Sequence, residues 1–108
     1  MLPTSETPSS LTRPRITITI TYCTQCQWLL RAAWMAQELL STFLDDLGEV
    51  ALRPGTGGVF VIELDADVIW ERVRDGGFPD VKVLKQRVRD RLDPGRDLGH
   101  VDRAGREG

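Results

Sequence analysis

The 108-residue sequence is short of metal-binding side chains, with two cysteines and one histidine. A structural zinc site normally takes four cysteine or histidine ligands, so one chain cannot supply them from these residues. Basic residues are not in excess either, because 14 Lys and Arg stand against 16 Asp and Glu. Without a cationic surplus the chain is not expected to bind nucleic acid.

Long apolar runs are missing as well. No stretch of the sequence approaches the ~18 apolar residues that a membrane span needs. The first residues lack the basic and apolar regions of a secretory signal. We therefore expect a cytoplasmic protein with no membrane partner. Thiols are normally kept reduced in the cytoplasm. A disulfide between cysteines three positions apart also closes too small a loop to stabilise the fold much, so a transient disulfide is favoured over a structural one.

The two cysteines lie where a predicted strand gives way to a predicted helix. Residues 16–21 alternate isoleucine and threonine, the period of a half-buried strand. An apolar-rich run with helical spacing extends from Gln27 to about Asp46. Cys23 and Cys26 stand between them with the C-x-x-C spacing of a thiol redox centre. We expect Cys23 at the helix N-terminus, where free N–H groups and the helix dipole stabilise a thiolate.

The rest of the pattern predicts three more strands and a second helix. A short strand over 49–53 suits the edge of a sheet, and the strands over 59–64 and 68–73 should form a hairpin. Gly48 is expected in the left-handed conformation that ends the first helix. The second helix spans residues 80–92, with Asp80 available as its N-terminal cap.

Together these elements predict one small α/β (α+β) domain over residues 15–92. The flanking segments, 1–14 and 93–108, are polar and rich in turn residues, so we expect a disordered leader and a flexible tail. The order β-α-β-β-β-α contains a right-handed βαβ unit. It predicts a thioredoxin-like fold with a four-stranded mixed sheet and two helices.

Four segments carry a family resemblance: Thr21-Tyr-Cys-Thr-Gln-Cys26, Thr56-Gly-Gly-Val-Phe60, Val68-Ile-Trp70 and Asp75-Gly-Gly-Phe-Pro79. On these segments the chain resembles the selenoprotein W, T and H family, the Rdx group, over roughly residues 15–92. The resemblance implies a thioredoxin-like fold and a thiol-based redox activity, often linked to glutathione or peroxide handling. Glutathione is then the expected co-substrate, with no other cofactor, and the partners are thiols or disulfides of proteins or of glutathione.

The resemblance leaves open which cysteine attacks first. In thioredoxin the first cysteine of the motif is the nucleophile, which corresponds to Cys23. In the selenoprotein members selenocysteine stands at the position of Cys26, which points to the second sulfur. Thioredoxin itself has a proline directly before the third strand, whereas here Gly57 and Gly58 stand there.

Other residues near the motif have both a structural and a functional interpretation. Glycines in loops usually serve turns that need a positive φ, but they also let a substrate chain approach. For Phe78 we expect core packing ahead of substrate contact. For Trp28 core packing and a role at the site are expected about equally. A nearby cation would lower a thiol pKa. The candidates for substrate contact are Thr24, Gln25, Trp28, Gly57, Gly58 and Phe78, and the candidate cations are Arg53, Arg72, Arg74 and Lys82.

Three functions remain open on this sequence. The leading hypothesis is a thiol-disulfide oxidoreductase whose catalytic residues are Cys23 and Cys26, acting in cell redox homeostasis. A second is a redox-sensing adaptor that binds a protein partner without turnover, since the apolar stripe of the first helix is wider than one sheet face needs. A third is a metal-carrying dimer that combines two C-x-x-C motifs.

Overall fold

The computed structural model describes residues 15–93. The predicted leader lies outside the described residues, and so does the predicted tail beyond Asp93. The described part has the expected α+β architecture in a thioredoxin-like arrangement, with one short helix more than predicted. Its elements are β1 (Ile16–Cys23), α1 (Leu29–Thr42), β2 (Leu47–Gly55), β3 (Phe60–Leu64), β4 (Asp67–Glu71), α2 (Arg72–Asp75) and α3 (Val81–Leu92).

The four strands form one mixed sheet in the order β2-β1-β3-β4. β1 and β2 run parallel, as the predicted βαβ unit requires, and β2 lies at the edge as expected. The prediction that this strand is short is wrong, because β2 has nine residues. β3 is antiparallel to both β1 and β4. This register places Cys23 opposite Gly55 and Tyr22 opposite Phe60. The end of β1 that carries the cysteine therefore meets the loop between β2 and β3.

The core lies between one face of the sheet and the two longer helices, which contact each other. Ile18 and Ile20 of β1 are buried against it, while Ile16 is half-buried. On the other side of the strand Thr17 and Thr21 are half-buried and Thr19 is buried. Lys85 of α3 pairs with Glu38 of α1 at 3.0 Å, which ties the helices together. No helix between residues 15 and 93 has the length and apolarity to cross a bilayer. The fully buried side chains are Ile18, Ile20, Cys23, Met35, Leu39, Phe43, Phe60, Ile62, Leu84 and Val88.

Helix α1 is shorter than predicted at both ends. It begins at Leu29, because Gln27 has a left-handed backbone with φ 61° that no helix continues. It ends at Thr42, where Phe43 closes the last turn by donating its N–H to the carbonyl of Leu39. The prediction that Gly48 ends this helix is wrong. Gly48 belongs to β2, which begins at Leu47 beside Ile16.

Helix α2 was not predicted, since residues 68–73 read as one strand. Pairing stops at Glu71, whose carboxylate accepts the N–H groups of Val73 and Arg74 and so caps a helical turn. Gly76, with φ 84°, ends the turn in the left-handed conformation. The cap predicted for the last helix is confirmed, because Asp80 accepts the N–H of Lys82 at 2.8 Å.

Candidate functional site

The two cysteines lie at the end of β1 in very different surroundings. Cys23 is the last residue of the strand and is 0% exposed, whereas Cys26 lies on the following turn and is exposed. The prediction that Cys23 stands at a helix N-terminus is wrong, because residues 24–27 form a turn and α1 begins only at Leu29. The Cys26 thiol and backbone donors close to the sulfur, and not the helix dipole, therefore determine its chemistry.

Several hydrogen bonds converge on the sulfur of Cys23. The N–H of Cys26 donates to Cys23 Sγ at 3.3 Å. The hydrogen bond with the Cys26 thiol is the main cause that lowers the pKa of Cys23. Backbone N–H groups of Gly58, Cys26 and Gln25 lower this pKa further, and together they outweigh the opposing effect of burial. The site thus favours a thiolate on Cys23.

The same contacts act on Cys26 with the opposite sign. Its hydrogen bond to Cys23 raises the pKa of Cys26, and desolvation and the charge of Cys23 add to the rise. The N–H of Gly58 and the charge of Arg72 act in the other direction. Two thiols coupled in this way titrate as a pair. When the pair gives up its first proton, the negative charge rests on Cys23 and the remaining proton on Cys26.

The turn that carries Cys26 is fixed to the edge strand. Thr24 donates both its backbone N–H and its hydroxyl to the carbonyl of Gly55, at 3.0 and 3.2 Å. Gln27 closes the turn by donating its N–H to the carbonyl of Thr24 at 3.0 Å. A positive φ at Gln27 is strained for a residue with a side chain, and such strain often occurs at functional sites. Thr24 and Gln25 are exposed on this turn, as substrate contact would require.

The loop between β2 and β3 faces the cysteine pair. Gly57 and Gly58 adopt φ values of 75° and 77°, which a residue with a side chain rarely adopts. Because the N–H of Gly58 acts on both sulfurs, this loop belongs to the site. The positive φ values confirm the turn interpretation of these glycines, and their role in admitting a substrate chain stays a prediction.

An aromatic cluster stands beside the motif. The rings of Trp28 and Phe78 meet edge to face with centroids 4.8 Å apart, and Phe60 meets Phe78 at 5.0 Å and Trp28 at 6.3 Å. Phe60 is fully buried, while the other two rings are half-buried. Trp28 and Phe78 thus form an edge of the core and a wall next to Cys26. Phe60 was missed as a neighbour of the site, although its place opposite Tyr22 follows from strand pairing.

Two arginines rest on this cluster. The guanidinium of Arg72 lies 5.3 Å from the Trp28 ring centroid, and that of Arg31 lies 4.1 Å from the Phe78 centroid. Of the four predicted candidates, Arg72 is the cation whose charge acts on Cys26. Arg31 was not among those candidates. The other three have contacts elsewhere or none near the sulfurs: Arg53 lies 4.0 Å from Glu63, Arg74 lies 2.8 Å from Asp75, and Lys82 stands at the start of α3.

Apolar side chains extend the site along the first turns of α1. Leu29, Leu30 and Trp34 are 50%, 81% and 47% exposed. Leu30 and Trp34 share a shallow depression with Gln27, Trp28 and Arg31. Between residues 15 and 93, no group of three or more His, Cys, Asp or Glu side chains is arranged to hold a metal ion.

Comparisons with known proteins agree with this arrangement. The sequence pattern of the Rdx family matches residues 17–90. A crystal structure of a protein from Bordetella parapertussis is similar at 72% identity and TM-score 0.71, covering 72% of this chain and 99% of that chain. A selenoprotein W-related protein from Vibrio cholerae is similar at 56% identity and TM-score 0.72, covering 73% and 99%. A search of curated proteins gave no match.

Proposed function

Since the chain belongs to the Rdx family, we propose that it is a thiol-disulfide oxidoreductase that works through Cys23 and Cys26. One observation carries the proposal. A reachable thiol on a turn lies beside a buried thiol, whose pKa is lowered chiefly by the hydrogen bond with that reachable thiol and further by backbone donors, among them the N–H of Cys26. Two such sulfurs can form a mixed disulfide with a substrate and then resolve it.

In the first step Cys26 attacks a substrate disulfide, because its sulfur is the one that a substrate can reach. The proton of Cys26 passes to the thiolate of Cys23 across the hydrogen bond that joins them. A bond forms between Cys26 Sγ and one substrate sulfur while the substrate S–S bond breaks. The displaced sulfur leaves as a thiolate and takes a proton from water.

In the second step Cys23 resolves the mixed disulfide. Its thiol loses a proton to water, which the N–H groups of Gln25, Cys26 and Gly58 favour by stabilising the anion. Cys23 Sγ then attacks Cys26 Sγ, the bond between Cys26 and the substrate sulfur breaks, and that sulfur leaves as a thiolate and takes a proton from water. The substrate disulfide has gained two electrons, and the two cysteines have become a disulfide.

Return to the dithiol needs an external thiol of the glutathione class, two molecules of which become one disulfide. We place this cycle in the cytoplasm, where the glutathione pool supplies that reductant. Disulfides of proteins or of glutathione are the proposed substrates. The proposed substrate contacts are Thr24, Gln25, Trp28, Gly57, Gly58 and Phe78. Their support is that Thr24 and Gln25 are exposed beside Cys26, that the N–H of Gly58 acts on its sulfur, and that Phe78 contacts Trp28.

Trapping of the mixed disulfide tests this order. After incubation with glutathione disulfide, Cys23→Ser should accumulate a glutathione adduct on Cys26, because nothing resolves it. The matched variant Cys26→Ser should stay largely unmodified, since its remaining sulfur is buried. The wild-type protein should instead lose two hydrogen atoms by mass spectrometry. Adducts that accumulate only in Cys26→Ser would reverse the assignment, and a wild-type protein that never forms the internal disulfide would refute the proposal.

The exposed apolar surface favours a second candidate, a redox-sensing adaptor. Leu30 is 81% exposed beside the motif, which is unusual for a leucine without a partner. An adaptor would keep its affinity for a partner when both cysteines are replaced with serine under reducing conditions. An oxidoreductase that recognises its substrate mainly through the mixed disulfide would lose that capture. Titration of one purified partner against the double variant separates the two.

A further inference from the structure

Arg72 joins three parts of the site that are distant in sequence. Its Nε donates to the carbonyl of Gly58 at 3.1 Å, and its guanidinium lies over the ring of Trp28 at 5.3 Å. A side-chain Cβ built on Gly58 would come within 3.4 Å of Arg72 Nη2. The guanidinium therefore lies within van der Waals contact of the glycine loop at Gly58.

The backbone of Arg72 is itself held firmly. Its carbonyl accepts the N–H groups of Gly76 and Gly77 at 2.9 and 2.8 Å, and the preceding Glu71 caps the helix that it begins. Glu71, Gly76 and Gly77 are close to Arg72 in sequence. Gly58 and Trp28 are distant in sequence, and only the fold brings them to Arg72. An arginine anchored at both its backbone and its side chain can hold a loop in place.

Gly58 links this arrangement to the chemistry. Its N–H acts on both sulfurs, while its carbonyl accepts the bond from Arg72. We propose that Arg72 is a positioning residue, which holds the loop at Gly58 so that the Gly58 N–H stays directed at the cysteine pair. The inference rests on the proposed function, because the role assigned to Arg72 is to prepare these sulfurs for exchange.

The role differs from that of a cation that merely lies nearby. A point charge lowers the pKa of a thiol from any direction, and lysine would replace arginine. A residue that positions Gly58 through Nε also controls a donor, and lysine has no donor at the Nε position. Arg72→Lys should therefore restore only part of what Arg72→Gln removes.

The first readout is the rate at which iodoacetamide alkylates Cys26, measured against pH in a Cys23→Ser background. Loss of the charge and of the aligned donor in Arg72→Gln should leave about 3- to 10-fold less thiolate at pH 7. A more basic thiolate is also a stronger nucleophile, so the net slowing should be about 2- to 4-fold. Arg91→Gln is the matched control, because Arg91 pairs with Asp67 at the opposite end of the sheet.

The second readout is the backbone amide resonance of Gly58 in the full chain with both cysteines. In the wild-type protein this resonance should move with pH as the thiols ionise. In Arg72→Gln the size of that movement should fall, and in Arg72→Lys it should fall less. A purely structural role for Arg72 would lower stability without changing this coupling between Gly58 and the sulfurs.

Unchanged alkylation in Arg72→Gln would overturn the inference. Slower alkylation with an unchanged Gly58 titration would overturn it too, since Arg72 would then act as a charge alone. If Arg72→Gln does not fold, the same two readouts on Arg72→Lys decide the matter. Because alkylation of Cys26 needs no turnover, a failure of the trapping experiment would refute the oxidoreductase and leave this test intact.

Discussion

Oxidation of Cys23 and Cys26 should change the stability of the fold by an amount that depends on pH. A bond between these two positions closes a loop of four residues. The chain-entropy relation gives about 2 kcal/mol of stabilisation for a loop of that length at 25 °C. At low pH, where both thiols are protonated, the oxidised protein should therefore be the more stable form by up to about 2 kcal/mol.

The advantage of the oxidised form should shrink as the pH rises. The folded reduced protein holds Cys23 with a pKa below the ordinary value of 9.0, so it releases a proton that the unfolded chain still binds. Stability rises with pH wherever the unfolded state binds more protons. The contribution of the thiolate is therefore fully present above the ordinary pKa of 9.0, and it is lost as the pH falls from there through the folded pKa of Cys23.

Above the ordinary thiol pKa the sign reverses. The unfolded chain then releases both protons, while Cys26 in the folded protein retains its own because its pKa is raised above 9.0. The unfolded state now binds fewer protons, and the reduced protein loses stability with rising pH. The stability of the reduced form relative to the oxidised form should thus pass through a maximum near pH 9.

Urea denaturation of both forms, at intervals between about pH 6 and pH 10, measures this difference. The contributions of most other titrating groups to the free energy of unfolding cancel in this difference, because those groups are common to the oxidised and reduced forms. The double variant with serine in place of Cys23 and Cys26 is the control, and its midpoint should not respond to oxidant. A difference that is independent of pH would refute the reasoning, because no thiolate would then be stabilised in the folded state.

Two further variants test the surroundings of the site. Asp75→Asn should lower the free energy of unfolding by about 1–2 kcal/mol at pH 7, since the carboxylate accepts bonds from Glu71 N–H and the Arg74 guanidinium at 2.9 and 2.8 Å. The pKa of Asp75 is lowered chiefly by Arg74, so the loss should disappear as the pH falls below about 4; equal losses at pH 3 and pH 7 would contradict this. Phe60→Leu should cost about 1–3 kcal/mol in urea denaturation, because its two edge-to-face contacts, one of them with Phe78 at 5.0 Å, disappear. A variant as stable as the wild type would show that the cluster contributes nothing beyond apolar burial.

The sheet and the last helix could be predicted because burial on one side leaves a period in the sequence. The alternation of β1 gave a half-buried strand, and Ile18 and Ile20 are indeed fully buried. Leu84 and Val88 recur at helical spacing, and both are buried on α3. Asp80 supplied the cap that a sequence can show directly.

The geometry of the motif could not be predicted in the same way. C-x-x-C spacing does not say whether the residues between the cysteines are helical. Here Thr24 bonds to the carbonyl of Gly55, 31 positions away, and this long-range contact holds the segment as a turn. Gln27 then adopts a positive φ that no local preference favours. Both facts depend on the pairing of β1 with β2, which a local pattern does not contain.

The failure to predict helix α2 has a different cause. Residues 68–73 contain two valines, an isoleucine and a tryptophan, residue types that favour strands, and this composition outweighed the signals of a helical turn. Those signals were present, since Glu71 can cap and Gly76 can end such a turn. The same omission concealed which cation serves the site. Only the turn at α2 directs Arg72 to the loop at Gly58, whereas a continued strand would have placed it elsewhere.

Solvent exposure favours Cys26 as the attacking sulfur, whereas the lowered pKa favours Cys23. The choice between them depends on which property changes the reaction rate more. A thiol with a raised pKa still ionises in part, and each thiolate that forms is a stronger nucleophile, so acidity changes the rate only gradually. Burial acts differently, because Cys23 at 0% exposure reacts only when the structure opens locally. We therefore propose that Cys26 attacks first despite its raised pKa. Once Cys26 is bound to substrate, its thiol no longer donates to Cys23, but the N–H groups of Gly58, Cys26 and Gln25 still lower the pKa of Cys23. The attack by Cys23 is then internal and needs no access from solvent.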